Sequence, residues 1–151
     1  MQVHWILKSF PQLTVEELYA LLRLRNEVFI VEQNCPFPDL DGKDPLCHHL
    51  LGFGETGCLL AYTRLVPPGV IYRHPSIGRV ATALNARRFG KGRELMQRSL
   101  VEMYHLYGQS PIQIGAQSYL QAFYESFGFL QSGDAYLEDG IEHIPMTRTL
   151  S

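Results

Sequence analysis

The stretch Ile77-Gly78-Arg79-Val80-Ala81-Thr82-Ala83-Leu84-Asn85-Ala86-Arg87-Arg88-Phe89-Gly90-Lys91-Gly92-Arg93 decides how this chain is read. Its first six residues have the composition of a strand. After its last, Leu95, Met96, Leu100, Met103 and Tyr107 recur on one face of a helix. Gly90 and Gly92 therefore fall where that helix begins. The first N–H groups of a helix have no partner within it, the dipole is positive there, and glycine permits close approach. Arg87, Arg88, Lys91 and Arg93 add positive charge to the same loop. A phosphate suits this arrangement, and a pyrophosphate suits it best. The same composition also serves a plain surface turn, so the pattern alone leaves both readings open. Two nucleotide motifs are excluded: no Gly-Lys-Ser/Thr closes a Walker A frame, and the third glycine of the dinucleotide fingerprint is missing.

Working upstream, Val3 to Leu7 reads as a strand, and Thr14-Val15-Glu16-Glu17 supplies a capping box for a helix. Leu18, Leu21, Leu22, Val28 and Phe29 form its apolar stripe, and Arg25 falls inside that stripe, so it is either paired or near an anion. Asn34 to Pro45, with three prolines and three aspartates, ends the helix and forms a surface loop. Cys47–Phe53 and Cys58–Val66, separated by Gly54-Glu55-Thr56-Gly57, predict an antiparallel hairpin that Pro67-Pro68-Gly69 closes. Downstream, Gly108 suits a helix stop and Ile112-Gln113-Ile114 alternates as a strand. Ser118-Tyr119-Leu120-Gln121 offers a second capping box for a short helix ending near Gly128, and Phe129 to Leu150 predicts a hairpin turning at Asp139-Gly140. The order strand, helix, three strands, helix, strand, helix, two strands predicts a single domain over 1–151, of mixed α/β class. Its helices would pack on a largely antiparallel sheet.

The composition agrees with one globular core: 151 residues, 46% hydrophobic and 19% charged. A formal charge of −2 gives no general attraction to nucleic acid or to an anionic membrane, so any anion site must be local. No apolar run reaches the roughly 18 residues of a membrane span. Met1 to Phe10 lacks the pattern of a secretory signal, so a cytoplasmic protein is expected. Cys35, Cys47 and Cys58 include no Cys-x-x-Cys pair and read as free thiols. Cys47-His48-His49 cannot converge on one ion from a strand, because its side chains alternate between faces, and no metal is expected. Cys35, with His48, His49 or His143 as partner, carries no thiol-protease signature.

Arg87, Gly90 and Gly92 match the Arg/Gln-x-x-Gly-x-Gly/Ala loop of the GNAT N-acetyltransferase superfamily. Phe123-Tyr124-Glu125-Ser126-Phe127-Gly128-Phe129 resembles its Phe-Tyr-x-x-x-Gly-Phe helix end. Leu24 to Pro36, with Asp41-Gly42 beyond, is similar to the ElaA-type branch, so the resemblance covers nearly the whole chain. It implies acetyl-CoA as co-substrate, bound between two splayed parallel strands ending near Thr82 and Ala116, and a primary amine as acceptor, small molecule or peptide. It further implies that backbone groups of Val80, Ala81 and Thr82 pair with the pantetheine arm. Amides from Arg88 through Phe89, Gly90, Lys91 and Gly92 to Arg93 would cradle the pyrophosphate, with Arg87 shaping the loop and Lys91 and Arg93 reaching the outer phosphates. Phe123 is counted with this cofactor set, and Gln117 stands where many members have Asn.

By the same resemblance Tyr124 protonates the departing thiolate; a phenol has suitable basicity for that transfer. Without the motif, Tyr124 would read as a core aromatic with its hydroxyl hydrogen-bonded. Ile112 and Gln113 stand where some members carry a glutamate base, so the base lies elsewhere or is water. Glu32 is the candidate for ammonium binding or proton removal. It also reads as an ordinary paired carboxylate, with Arg25 or Arg64 as partner. A non-catalytic acyl-CoA-binding or sensor module is the alternative function, and a monomer or homodimer is expected.

Overall fold

The computed structural model describes residues 2–149. Residues 1, 150 and 151 lie outside the described residues, and with them the two ends of the expected domain and the expected hairpin end at Leu150. The chain begins with β1 (His4–Ser9) and α1 (Val15–Arg25), whose start is fixed reciprocally: Thr14 Oγ1 accepts from Glu17 N at 3.1 Å, and Glu17 Oε1 accepts from Thr14 N at 2.8 Å. Helical winding continues past Arg25 as a π-helical segment, Asn26–Glu32. The predicted hairpin is β2 (His48–Phe53) and β3 (Leu59–Val66), followed by β4 (Ser76–Thr82). A 3-10 turn over Leu84–Phe89 leads into α2 (Lys91–Tyr107). Next come β5 (Ile112–Gln117), α3 (Gln121–Glu125), β6 (Leu130–Gln131), β7 (Tyr136–Glu138) and β8 (Ile141–Arg148).

The sheet is split. One half has the order β1-β2-β3-β4, the other the order β5-β8-β6 with β7 also on β8, and every ladder is antiparallel. The halves meet at the start of β4 and β5, where Gln113 N donates to Pro75 O at 3.1 Å. Beyond that bond no ladder joins the two strands among the described residues, which leaves a V-shaped opening toward Thr82 and Gln117. α1 covers one face of the first half through Leu21, Leu24, Val28, Leu51, Tyr62 and Ala81. α2 covers the other face and bridges to the second half through Met96, Met103, Ile114, Phe129, Ile144 and Met146.

The second expected capping box does not form. Ser118–Leu120 is a 3-10 turn, Leu120 is the N-cap of α3, and Ser118 Oγ is buried without a hydrogen-bond partner. Gln121 instead reaches Glu125 and Gln131 at 3.5 Å. The Asp139-Gly140 turn forms as expected, both residues having positive φ, 53° and 76°.

Asn34 to Pro45 is a loop, but its aspartates turn inward. Arg25, fully buried, donates to Asp44 Oδ1 at 2.7 Å and to Asp39 Oδ2 at 2.8 Å. Arg64, also buried, donates to Asp44 Oδ1 at 3.0 Å and grips Asp41 with two bonds of 2.9 Å. Burial opposes ionisation at both arginines, yet bonding to these carboxylates holds their pKa above the usual value. At Asp41 and Asp44 burial pulls upward, and the guanidinium bonds overcome it to hold both carboxyls below the ordinary range. His49, kept neutral by burial, links this cluster to the core: Nε2 donates to Asp44 O at 3.0 Å and Nδ1 accepts from Tyr62 Oη at 2.7 Å.

Asp44→Ala leaves two buried guanidinium groups short of a carboxylate and should cost about 3–5 kcal/mol in urea unfolding. Because the folded pKa of Asp41 and Asp44 is depressed, their stabilisation is complete above the unfolded value near 3.9 and is lost as pH falls below it. An acid titration of the unfolding midpoint checks this, and the Asp44→Ala variant should show a shallower acid limb.

Candidate active site

The opening between β4 and β5 widens into a cleft of about 780 Å³, bounded by both sheet halves, the π-helical segment and α3. On the β4 side Gly78 pairs with Arg64 and Ala81 with Tyr62, so Arg79 and Val80 together oppose Thr63. This is a β-bulge, and it takes a peptide unit out of the ladder beside the cleft. Arg79 has φ 49°, a strained value for a non-glycine residue. Its side chain is anchored as compensation: Nε lies 2.7 Å from Asp39 Oδ1, and a terminal nitrogen donates to Asp39 O at 2.7 Å. Val80 and Thr82 line the cleft, whereas the Ala81 side chain turns into the core under α1.

At the mouth, Arg87 ties the loop to the end of β4 by donating to Thr82 O at 3.0 Å. Gly90, at φ 71°, ends the 3-10 turn and passes the chain into α2. Glu94 N is the first amide of α2 to find a helical acceptor, Gly90 O at 3.2 Å; among the described residues the N–H groups of Lys91, Gly92 and Arg93 have none. Gly92 lies against Phe123, since a β-carbon there would sit 4.0 Å from its ring, and both residues border the cleft.

The basic side chains do not all face the mouth. Lys91 is buried and its Nζ donates to Glu94 Oε2 at 2.8 Å, which leaves its backbone amide rather than its ammonium beside the loop. Arg93 lies 4.6 Å over the Phe127 ring and donates to Ser126 Oγ at 3.0 Å. Arg88 and Phe89 stack on each other at the exposed outer side of the turn.

Glu32 pairs with neither Arg25 nor Arg64, which are occupied by the aspartates. It receives two bonds from Arg87, at 2.7 and 2.8 Å, and that bonding holds its carboxyl below the usual range. Gln117 lines the cleft and exchanges bonds of 3.3 Å with Gln33, spanning from β5 to the end of the π-helical segment. Tyr124 is buried edge-on between Phe123 and Phe129. It borders the cleft, and no hydrogen bond occupies its hydroxyl among the described residues. Burial pushes this phenol well above the ordinary tyrosine value, so it stays protonated.

Gln33, Tyr72 and Glu138 also line the cleft without a local sequence signal; His143, which the sequence suggested only as a thiol partner, lines it too, and Tyr136 stacks on His143. For this pair a usable signal existed: two-residue alternation across Asp139-Gly140 places Tyr136 opposite His143. Among the described residues no hydrogen bond joins Cys35 to a histidine; its Sγ approaches Asp139 O at 3.5 Å. Cys47 is buried and its thiol is pushed up to about 11 by burial. Among the described residues no His, Cys, Asp or Glu group is arranged to hold a metal, and no helix is long and apolar enough to cross a membrane.

A split sheet with unpaired helix-start amides at its mouth is the framework of an acyl-CoA-dependent transferase, and the chain belongs to the acetyltransferase (GNAT) domain family, whose profile matches residues 51–150. Protein ElaA of Escherichia coli is 40% identical over 148 residues, covering 97% of this chain and 96% of its own. A Synechocystis protein is 40% identical over 146 residues, covering 97% and 95%. Among solved structures, an acyl-CoA N-acyltransferase from Pseudomonas aeruginosa superposes with a TM-score of 0.93 at 43% identity, covering 98% of this chain and 100% of that one. Escherichia coli ElaA does so with 0.90 at 40%, covering 97% and 99%.

The unpaired amides should be visible in solution. Lys91, Gly92 and Arg93 should exchange amide hydrogens quickly in the free protein, while Leu95 to Met103 are protected, as residue-resolved hydrogen exchange would record.

Proposed function

We propose that this protein transfers an acetyl group from acetyl-CoA directly to a primary amine. The observation that carries the reading is the conjunction of three unused groups around one cleft: the amides opening α2, the bulged peptide at Arg79–Val80, and the hydroxyl of Tyr124. The amides of Lys91, Gly92 and Arg93 receive the pyrophosphate, and the helix dipole adds to them. Val80 and Thr82 offer backbone to the pantetheine arm along the open edge of β4, and Gln117 faces it from β5. A CoA complex of this fold supports the placement at the level of architecture: the NatC complex bound to Gag peptide and CoA has a TM-score of 0.71 at 14% identity.

In the reaction the neutral amine attacks the thioester carbonyl while the peptide N–H at Val80 polarises its oxygen. The carbon–sulfur bond breaks, and the sulfur takes the proton of Tyr124. Burial disfavours a thiolate as it does a phenolate, so the transfer exchanges one anion for another in the same surroundings. Tyr124 then recovers a proton from the acylated nitrogen. Holding both reactants in one cleft supplies the proximity that a covalent enzyme intermediate would otherwise provide. Glu32 is assigned to holding Arg87, because a carboxylate stabilised by two guanidinium bonds is a weak base.

Calorimetric titration with acetyl-CoA tests the binding half. A folded Gly90→Asp, Gly92→Asp double variant should lose binding, since the added carboxylates repel pyrophosphate. Thiol release with a panel of primary amines tests the transfer half. Tyr124→Phe should lower kcat about 100-fold with little change in acetyl-CoA affinity. Binding without release from any amine would favour the non-catalytic acyl-CoA-binding reading.

A further inference from the structure

We propose that His143 is the base that takes the proton from the acceptor ammonium, and that Glu138 with the phenol oxygens of Tyr72 and Tyr136 forms the subsite receiving that ammonium. The inference rests on the transferase reading above and supplies the base that neither Ile112 nor Gln113 can be.

His143 stands in β8 directly opposite Gln117 of β5 on one side and Tyr136 of β7 on the other. Cross-strand partners share a face of the sheet. The imidazole therefore projects on the side of Gln117, away from Ile144 and Met146 in the core, and it borders the cleft. It is 8% exposed, yet among the described residues only one of its nitrogens takes part in a hydrogen bond. Nδ1 lies 2.8 Å from Ile141 O, and a carbonyl can only accept, so Nδ1 carries the hydrogen. In the neutral ring Nε2 is left with a lone pair. Its nearby polar neighbour is Glu138 Oε2 at 3.6 Å, too far for a hydrogen bond and near enough to stabilise an imidazolium.

The surroundings suit a cation. The Tyr136 ring stacks on the imidazole, with centroids 5.7 Å apart and planes inclined by 23°. A β-carbon at Gly115 would collide with Tyr136 Oη and lie 3.0 Å from Tyr72 Oη, so the glycine lets both phenols converge on the surface of β5. Two phenol oxygens and a carboxylate offer acceptors to the N–H groups of an ammonium. Glu138 is 60% exposed at its side chain and draws the amine from solvent, while Nε2 lies deeper. The titratable groups beside the imidazole are Tyr136, stacked on it, and Glu138, both from β7; Tyr72, from the segment before β4, shares the cleft lining with it. Cys35 stands beyond the Asp139 turn. Among these only the imidazole presents an unoccupied nitrogen lone pair to an incoming ammonium.

Proton bookkeeping closes. One of the three ammonium protons passes to His143 Nε2 and leaves to water, freeing the nitrogen lone pair. The carbon–nitrogen bond forms, the carbon–sulfur bond breaks, and the sulfur takes the proton of Tyr124. The nitrogen returns a second proton to Tyr124, and the third remains on the amide.

The experiment measures thiol release from acetyl-CoA with phenethylamine, spermidine and N-acetyl-lysine amide as probes, across about pH 6 to about pH 10. His143→Gln should lower kcat/KM for the amine about 100-fold near neutral pH. The deficit should shrink as the amine deprotonates unaided, with acetyl-CoA affinity by calorimetry unchanged. Glu138→Gln should raise KM for the amine about tenfold and leave kcat near the wild-type value. A His143→Gln enzyme with the wild-type rate and pH profile overturns this inference alone. A wild type that binds acetyl-CoA but acylates no probe overturns the transferase reading, and this inference with it. If His143→Gln fails to bind acetyl-CoA, the Glu138→Gln result decides, and an unchanged amine KM there overturns the proposal.

Discussion

The carboxylate of Asp44, held between the guanidinium groups of two fully buried arginines, is the constraint on which this structure depends. Buried ions cost solvation energy that mutual attraction repays only when their geometry is satisfied. Here Asp39, Asp41 and Asp44 share Arg25, Arg64 and Arg79 so that the charges balance, three against three. The arrangement draws a proline-rich loop that would otherwise lie loose onto the end of α1 and the edges of β3 and β4. One member, Arg79, sits at the bulge bordering the cleft, so the strained backbone there is secured by the same loop.

From that anchor the rest is an exercise in leaving groups unpaired. A sheet normally satisfies its backbone through ladders. Between β4 and β5 it does so once, at Pro75 and Gln113, and then stops. α2 normally follows a capped start, yet its N-terminus has a glycine cap without a side-chain bond, and three amides remain open. Tyr124 is buried, and among the described residues nothing hydrogen-bonds its hydroxyl. Each vacancy costs stability and each borders one cleft, which is how binding sites differ from packing.

Much of this was legible in the residues. Local rules located the capping box at Thr14, the hairpin turning at Gly54 to Gly57, the Asp139-Gly140 turn and the loop before α2, because each depends on neighbours in sequence. Ser118 showed the limit: a Ser-x-x-Gln pattern matched a cap, but the chain entered a 3-10 turn first. Arg25 could be flagged as misplaced on an apolar stripe, but its partners lay in a loop whose composition suggested exposure. Glu32 illustrates the same gap, since its partner Arg87 is 55 residues away. The surroundings of Gly115 were the least readable part: Tyr72, Gly115 and Tyr136 come together only through tertiary packing, and a glycine in a strand gives no hint of what crosses over it.

The shared use of Asp39 has a consequence for how this scaffold could diversify. Substitution or exchange of the loop is the usual route to a new acceptor, because loops tolerate change better than strands. In this protein the loop is not an independent cassette. Asp39 steadies the bulge that borders the cleft, so a graft that discards it would alter the backbone of the cleft along with the surface of the loop. Variation is cheapest at residues 35–38, which leaves the three aspartates as fixed mounting points.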